Sequence, residues 1–110
     1  MTPWEIWSWQ APGWPEPHPV VIVSNSDRAA RKEPVEVLLC STQRTRRAPE
    51  LHEVVLDQAD GLDWATLCKC DLIYAVEKAS LTNKRGLVRP ERRPALIRTI
   101  IAAHGWAQQI

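Results

Sequence analysis

A few side chains have the types and spacing to handle a phosphodiester. His18 sits between Pro17 and Pro19, on a stretch stiffened by prolines at alternating positions from Pro15. Imidazole can act as base or acid near neutral pH. Ser41 and Thr42 close an apolar run and open the basic segment Gln43-Arg44-Thr45-Arg46-Arg47. A hydroxyl is an uncharged donor to a phosphate oxygen, and arginine is a planar, bidentate one. Lys69 and Asp71 flank Cys70, so a strand there points both to the face opposite that thiol. Taken singly, these groups read as a lone histidine, a turn former, a surface salt bridge and solvated loops. Taken together, they suit cleavage of RNA by its own 2′-hydroxyl. That reaction needs a base for the hydroxyl, donors for the charge developing on the phosphate, and an acid for the leaving oxygen. It requires no metal.

The composition bounds this reading. The chain has 110 residues and a formal net charge of +1, which predicts one domain spanning 1–110 with a real core. The near-neutral total hides segregation. Arg28, Arg31, Lys32, Arg44, Arg46 and Arg47 lie in the first half, and Lys84, Arg85, Arg89, Arg92, Arg93 and Arg98 near the end. Between them, Glu50, Glu53, Asp57, Asp60 and Asp63 occupy a stretch without Lys or Arg. Basic loops of this kind can build a phosphate-binding face despite a small net charge. Six Trp stand against one Tyr and no Phe. Most read as core and interface filler, while Trp14, on a loop, is a candidate to stack on a ligand or partner. Cys40, Cys68 and Cys70 are odd in number, and the Cys-Lys-Cys pair has no second Cys/His pair at zinc-finger spacing. The expectation is a reduced, cytoplasmic protein with no metal and no cofactor. No apolar stretch is long enough for a membrane span, and the N-terminus lacks a signal-peptide core.

The elements that must position these groups follow from periodicity. Residues 5–10 alternate, with Trp7 and Trp9 on one face and Ile6 on the other, and read as a strand. Residues 11–18 are a Pro/Gly loop, and 19–25 a buried strand opened by a proline. Residues 26–33 are polar and read as a loop, and 35–42 as a third strand. A basic loop over 43–50 leads to a fourth strand over 51–56 and an acidic turn around Gly61. Residues 65–71 read as a fifth strand that runs on into a bent sixth over 72–77, and 79–83 as a short helical turn. From Glu91 the period changes to about 3.6: Leu96, Ile97, Ile100, Ile101 and His104 line one stripe and Gly105 stops it. Short strands closed by one helix predict a small, mainly antiparallel β-barrel.

Several segments in this order resemble the MazF/PemK family of type II toxin–antitoxin toxins, metal-independent endoribonucleases that cleave RNA at specific sequences. Trp4 to Trp9 ("WEIWSW") is similar to the family's opening strand. His18 to Asn25 ("HPVVIVSN") is similar to its Arg-Pro-Val-Val strand, and Leu38 to Gln43 ("LLCSTQ") to the strand carrying its functional Thr. Cys68 to Leu81 ("CKCDLIYAVEKASL") and Lys84 to Glu91 ("KRGLVRPE") resemble the last two segments. The resemblance runs from about Pro3 to Trp106. It implies an SH3-like antiparallel barrel with a C-terminal α-helix, a homodimer, and a groove for single-stranded RNA. It also implies a cognate antitoxin that folds over that groove and alone carries the contact to operator DNA.

Residue by residue, His18 takes the place of the family's catalytic Arg, which is not a conservative exchange. The family's Thr falls on Ser41, or on Thr42 in a second alignment. Lys69-Cys70-Asp71 resembles an RNA-contacting Arg-Cys-Asp step, and Glu16 stands for a Glu of the first loop. The expected roles are therefore base or acid for His18, the scissile phosphate for Ser41 or Thr42, and flanking phosphates for Lys69, Arg44 and Arg46. Asp71 would orient a base or Lys69. The alternative is a non-enzymatic toxin: a catalytically silent member, or one of the gyrase-poisoning CcdB type that acts on a protein partner through its C-terminal helix, here ending near Trp106.

Overall fold

A computed structural model describes residues 1–42 and 47–109. Six strands form one antiparallel sheet: β1 (Glu5–Trp9), β2 (His18–Ile22), β3 (Pro34–Thr42), β4 (Glu53–Leu56), β5 (Thr66–Glu77) and β6 (Leu81–Leu87). Their order across the sheet is β4-β5-β3-β2-β1-β6. Helix α1 (Ser26–Arg31) joins β2 to β3, and helix α2 (Arg93–Ala103) follows β6. The expected class, mainly β with a C-terminal helix, is the observed one.

Both faces of the sheet are buried. Ile6, Val21, Leu38, Cys40, Cys68 and Cys70 form one core cluster with Leu56, Val88 and Leu96, and Ile100 of α2 packs against it. Trp9, Val20, Ile22, Val35, Val37 and Leu39 form the second, with Ala29 of α1 and the partly buried Trp7, Trp14 and Leu72. This double burial explains why β2 and β3 read as continuous apolar runs rather than as alternation.

The segment over 26–33 is not the expected loop. Asn25 caps α1, its side chain accepting from the Arg28 N–H at 2.8 Å, and Asp27 pairs with Arg31 one turn on at 3.1 Å. An Arg28–Glu36 ion pair fastens the helix to β3. A capping residue and one apolar anchor, Ala29, are enough for so short a helix when the sheet supplies the packing.

The bend expected in β5 is present as a register slip. β3 advances from Leu38, paired with Ile73, to Cys40, paired with Cys68, while β5 takes several extra residues over the same span. The bulged stretch is Lys69 to Leu72, and it re-aims β5 where the candidate residues sit.

Strand β6 was not expected. It is a polar edge strand pairing with β1 through irregularities on either side of Trp7, one of them at Asn83, whose φ is 48°. The stop at Gly105 is as expected: its φ is 68°. His104 Nε2 lies 3.1 Å from the Cys70 carbonyl oxygen, so the helix end is tied to the bulge.

Candidate nucleic-acid interface

The registers bring three of the sequence-predicted residues to one side of the sheet. Trp9 pairs with His18, and counting on from Val20↔Leu39 brings His18 to the level of Ser41. Ser41 pairs with Leu67 on β5. Cys40, Cys68 and Cys70 all belong to the first core cluster. Alternation therefore turns Ser41 and Lys69 to the opposite face, which His18 shares with Val20. Thr42 pairs with Thr66 and by the same alternation faces away from Ser41.

His18 stands at the mouth of an aromatic strip. Its ring meets Trp14 edge-on at 4.6 Å between centroids. Trp14 packs on Trp9 at 5.5 Å, and Trp9 on Tyr74 at 5.5 Å. The loop bearing Trp14 is fastened by a hydrogen bond from the Gln10 side chain to the Trp14 carbonyl. Trp14 is thus half-buried and held by its neighbours, and Glu16 is exposed on the same loop. Arg44 and Arg46 lie outside the described residues.

Lys69 is not held by Asp71. Its ammonium donates to the Glu53 carboxylate at 3.1 Å, the residue directly opposite it on β4. The bulge is the reason. Cys70 faces the first cluster and Leu72 the second, so two-residue alternation does not carry from Lys69 to Asp71. Asp71 turns instead toward His52, whose Nε2 lies 3.9 Å from Asp71 Oδ1 and 3.5 Å from Glu50 Oε2.

Glu53 is the unexpected residue of this face. Its side chain is 0% exposed yet fully engaged. Both carboxylate oxygens accept from Arg47, at 2.7 and 2.8 Å, and the Glu50 N–H donates to one of them at 2.9 Å. Strand β4 had been expected from Leu51, but Leu51 is fully exposed. The strand starts at Glu53 because the carboxylate is drawn inward by its cations. Oxygen and nitrogen atoms of Glu50, His52 and Glu53 lie within 4.8 Å of one another. A cation there would have to displace Arg47 and Lys69 from Glu53, so the donor set does not favour a metal.

The Arg47 guanidinium beside Glu53 holds its carboxyl well below the usual carboxylate range, and Lys69 and the Glu50 N–H add to this against the opposing effect of burial. An unfolded glutamate titrates near about pH 4. With the folded value lower, Glu53 contributes its full stability above that pH and loses it as the pH falls further. The thermal midpoint is expected to drop below about pH 4, and less steeply in Glu53→Gln. Parallel curves for the two proteins would remove Glu53 from the acid transition.

No curated protein matches the sequence significantly. Among solved structures, a Mycobacterium tuberculosis toxin, MazF-mt6, is 23% identical with a TM-score of 0.77, over 92% of this chain and 96% of that one. An endoribonuclease in complex with its cognate antitoxin, from a mycobacterial species, is 22% identical with a TM-score of 0.80, over 96% and 95% of the two chains. An Mtb toxin is 26% identical with a TM-score of 0.70, over 78% and 91%. At the level of sequence, residues 3–103 match PemK-like, MazF-like toxins of type II toxin–antitoxin systems. With the match covering nearly the whole chain and the fold shared with these structures, the chain belongs to that toxin family.

Proposed function

We propose that this protein is the toxin of a type II toxin–antitoxin system and an endoribonuclease that cuts single-stranded mRNA at specific sequences without a metal. The observation that carries the reading is the shared face of His18, Ser41 and Lys69 in a chain that matches the toxin family over residues 3–103. His18 exchanges the proton, as base for the 2′-hydroxyl or as acid for the leaving 5′-oxygen. The attacking oxygen closes a 2′,3′-cyclic phosphate as the 5′-oxygen leaves. Ser41 serves the scissile phosphate in preference to Thr42, because it shares the His18 side. Lys69 takes a flanking phosphate, with Arg44 and Arg46 of the neighbouring basic segment. Trp14 offers a stacking surface to a base, a sequence-tolerant contact.

The same face is proposed as the target for a cognate antitoxin segment, and a mycobacterial endoribonuclease of similar fold forms a complex with its cognate antitoxin. Leu87 at the end of β6, Ile97 on α2 and Trp106 just after it are exposed apolar residues, and they suit burial in a homodimer. Operator DNA is reached through the antitoxin. Among the described residues no helix is long and apolar enough to cross a membrane, and the working place proposed is the cytoplasm.

The test is cleavage of a mixed-sequence single-stranded RNA in EDTA. The wild type should cut, and His18→Ala should be slower by about a hundredfold or more, the usual weight of a proton-transfer group. Equal rates would remove His18 from the chemistry. No cleavage by either protein would refute the enzyme and leave the silent, partner-binding toxin.

A further inference from the structure

We propose that Arg47 and Lys69, clamped by the buried carboxylate of Glu53, form a phosphate subsite beside the His18–Ser41 strip, with Glu53 as its positioning residue. This rests on the reading of that face as RNA-binding.

Glu53 stands between the two cations and the Glu50 carboxylate lies close by, so the charges of the cluster are near balance and what favours an anion is how they are layered. Glu53 is fully buried, while the Arg47 side chain is 42% and the Lys69 side chain 24% exposed. The carboxylate lies beneath and the cations above.

Among the described residues, donors are left over. Lys69 gives one N–H to Glu53 and an ammonium has three. Arg47 uses its two terminal nitrogens on Glu53, which leaves the Nε–H outside that fork. These donors are held in place before any ligand arrives. A free lysine or arginine would first have to give up much of its rotamer freedom to bind.

The location is right for a strand of RNA. Lys69 lies two residues along β5 from Leu67, the partner of Ser41, about 7 Å at the rise of a strand. That is a step on the scale of one nucleotide. Arg47 follows the segment 43–46, so Glu53 also ties the end of that basic segment to β5.

Two physical pictures make opposite predictions. Simple electrostatics says that removing the Glu53 charge strengthens binding of a polyanion. Positioning says that it weakens binding, because the two cations lose their anchor. The experiment measures the affinity of a 2′-O-methylated, uncleavable RNA strand as a function of salt. It compares the wild type with Glu53→Gln, Arg47→Gln, Lys69→Gln and the double variant Glu53→Gln/Lys69→Gln. Parallel RNA cleavage by the wild type reports on the enzyme reading separately.

Arg47→Gln and Lys69→Gln should each flatten the slope of log Kd against log salt by about 0.7, one phosphate contact on a single strand. Glu53→Gln should weaken binding about three- to tenfold despite the extra positive charge, a loss of the size of one ordinary hydrogen bond. In the Lys69→Gln background part of that loss should vanish, since only Arg47 is left for Glu53 to position, a coupling that a general loss of stability would not produce. Tighter binding by a folded Glu53→Gln protein overturns the positioning role. Unchanged slopes for both cation variants overturn the subsite whether or not Glu53→Gln folds, and if the wild type still cleaves RNA the proposed function survives. A wild type that neither binds nor cuts takes both down.

Discussion

Replacing Gly86 with alanine is expected to abolish stable folding. Gly86 lies in β6 opposite Ile6 of β1. Beneath it runs the turn at Asp60 and Gly61. A Cβ on Gly86 would fall well inside contact with the Asp60 carbonyl oxygen and 3.0 Å from the Gly61 Cα. Both are backbone atoms, so no side-chain rotation relieves the clash. Either β6 leaves β1 or the turn leaves the sheet. The turn is itself fixed, with the Asp60 N–H on Asp57 at 2.9 Å and the Gly61 N–H on Gln58 at 3.0 Å. Gly61 answers Gly86 from the other side: its φ is 93°, and a Cβ there would come within 2.9 Å of the Gly86 Cα. At the two glycines β6 and the acidic turn meet backbone to backbone. A loss above about 4 kcal/mol is expected, the range of the most damaging single substitutions. At roughly 4 °C per kcal/mol for a domain of this size, the variant should melt well over ten degrees lower or fail to fold. A melting curve within a few degrees of the wild type would show that the turn slides aside.

That contact also explains what the sequence could and could not disclose. The apolar strands were legible because β1, β2 and β3 carry residues that only a sheet buried on both faces can use. The closing helix was legible from its stripe of Leu96, Ile97 and Ile100. β6 was not, because an edge strand needs no apolar run, and "LTNKRGL" keeps one buried side chain, Leu81. Its glycine appeared as a family motif, but the reason for it, an approaching turn from residues 60–61, is tertiary. Helix α1 was missed: Asn25 caps it and Asp27 lies in its first turn, but a helix of this length gives no period to count.

The candidate site divides along the same line. His18, Ser41 and Lys69 are local facts of residue type and alternation, and the registers bring them to one face. Glu53 and Arg47 are not, because their importance comes from the pairing of β4 with β5. Glu53 lay inside the strand expected over 51–56 and among the acids of a stretch without Lys or Arg, and nothing local marks its side chain as buried. Asp71 shows the limit of alternation: one bulge between Cys70 and Leu72 is enough to turn it from Lys69 to His52.

Arg92→Leu should cost about 3 kcal/mol, the low end for stranding a buried charge, and it should do so without weakening RNA binding by the folded protein. The Asp60 side chain is 0% exposed. It accepts from the backbone N–H groups of Asp57 and Arg89, each at 3.0 Å, and from Arg92 at 3.0 Å. The same guanidinium reaches Asp57 and the Val55 carbonyl, each at 3.0 Å. Arg92 therefore joins the residues leading into α2 to β4 and to the turn under Gly86. Without it Asp60 keeps two N–H partners but loses its counter-charge, which is why the low end of the range applies. Chemical denaturation measures the loss, and Asp60→Asn in the Arg92→Leu background should recover part of it by removing the charge. An additive second loss would mean that Asp60 depends on its backbone partners alone. The contrast with Arg47 is what makes the pair of variants informative. Helix α2 packs on the first core cluster, away from the strip that bears His18 and Ser41. Charge lost at Arg92 should thus appear in stability and leave the salt slope of RNA binding unchanged, while charge lost at Arg47 should appear in that slope.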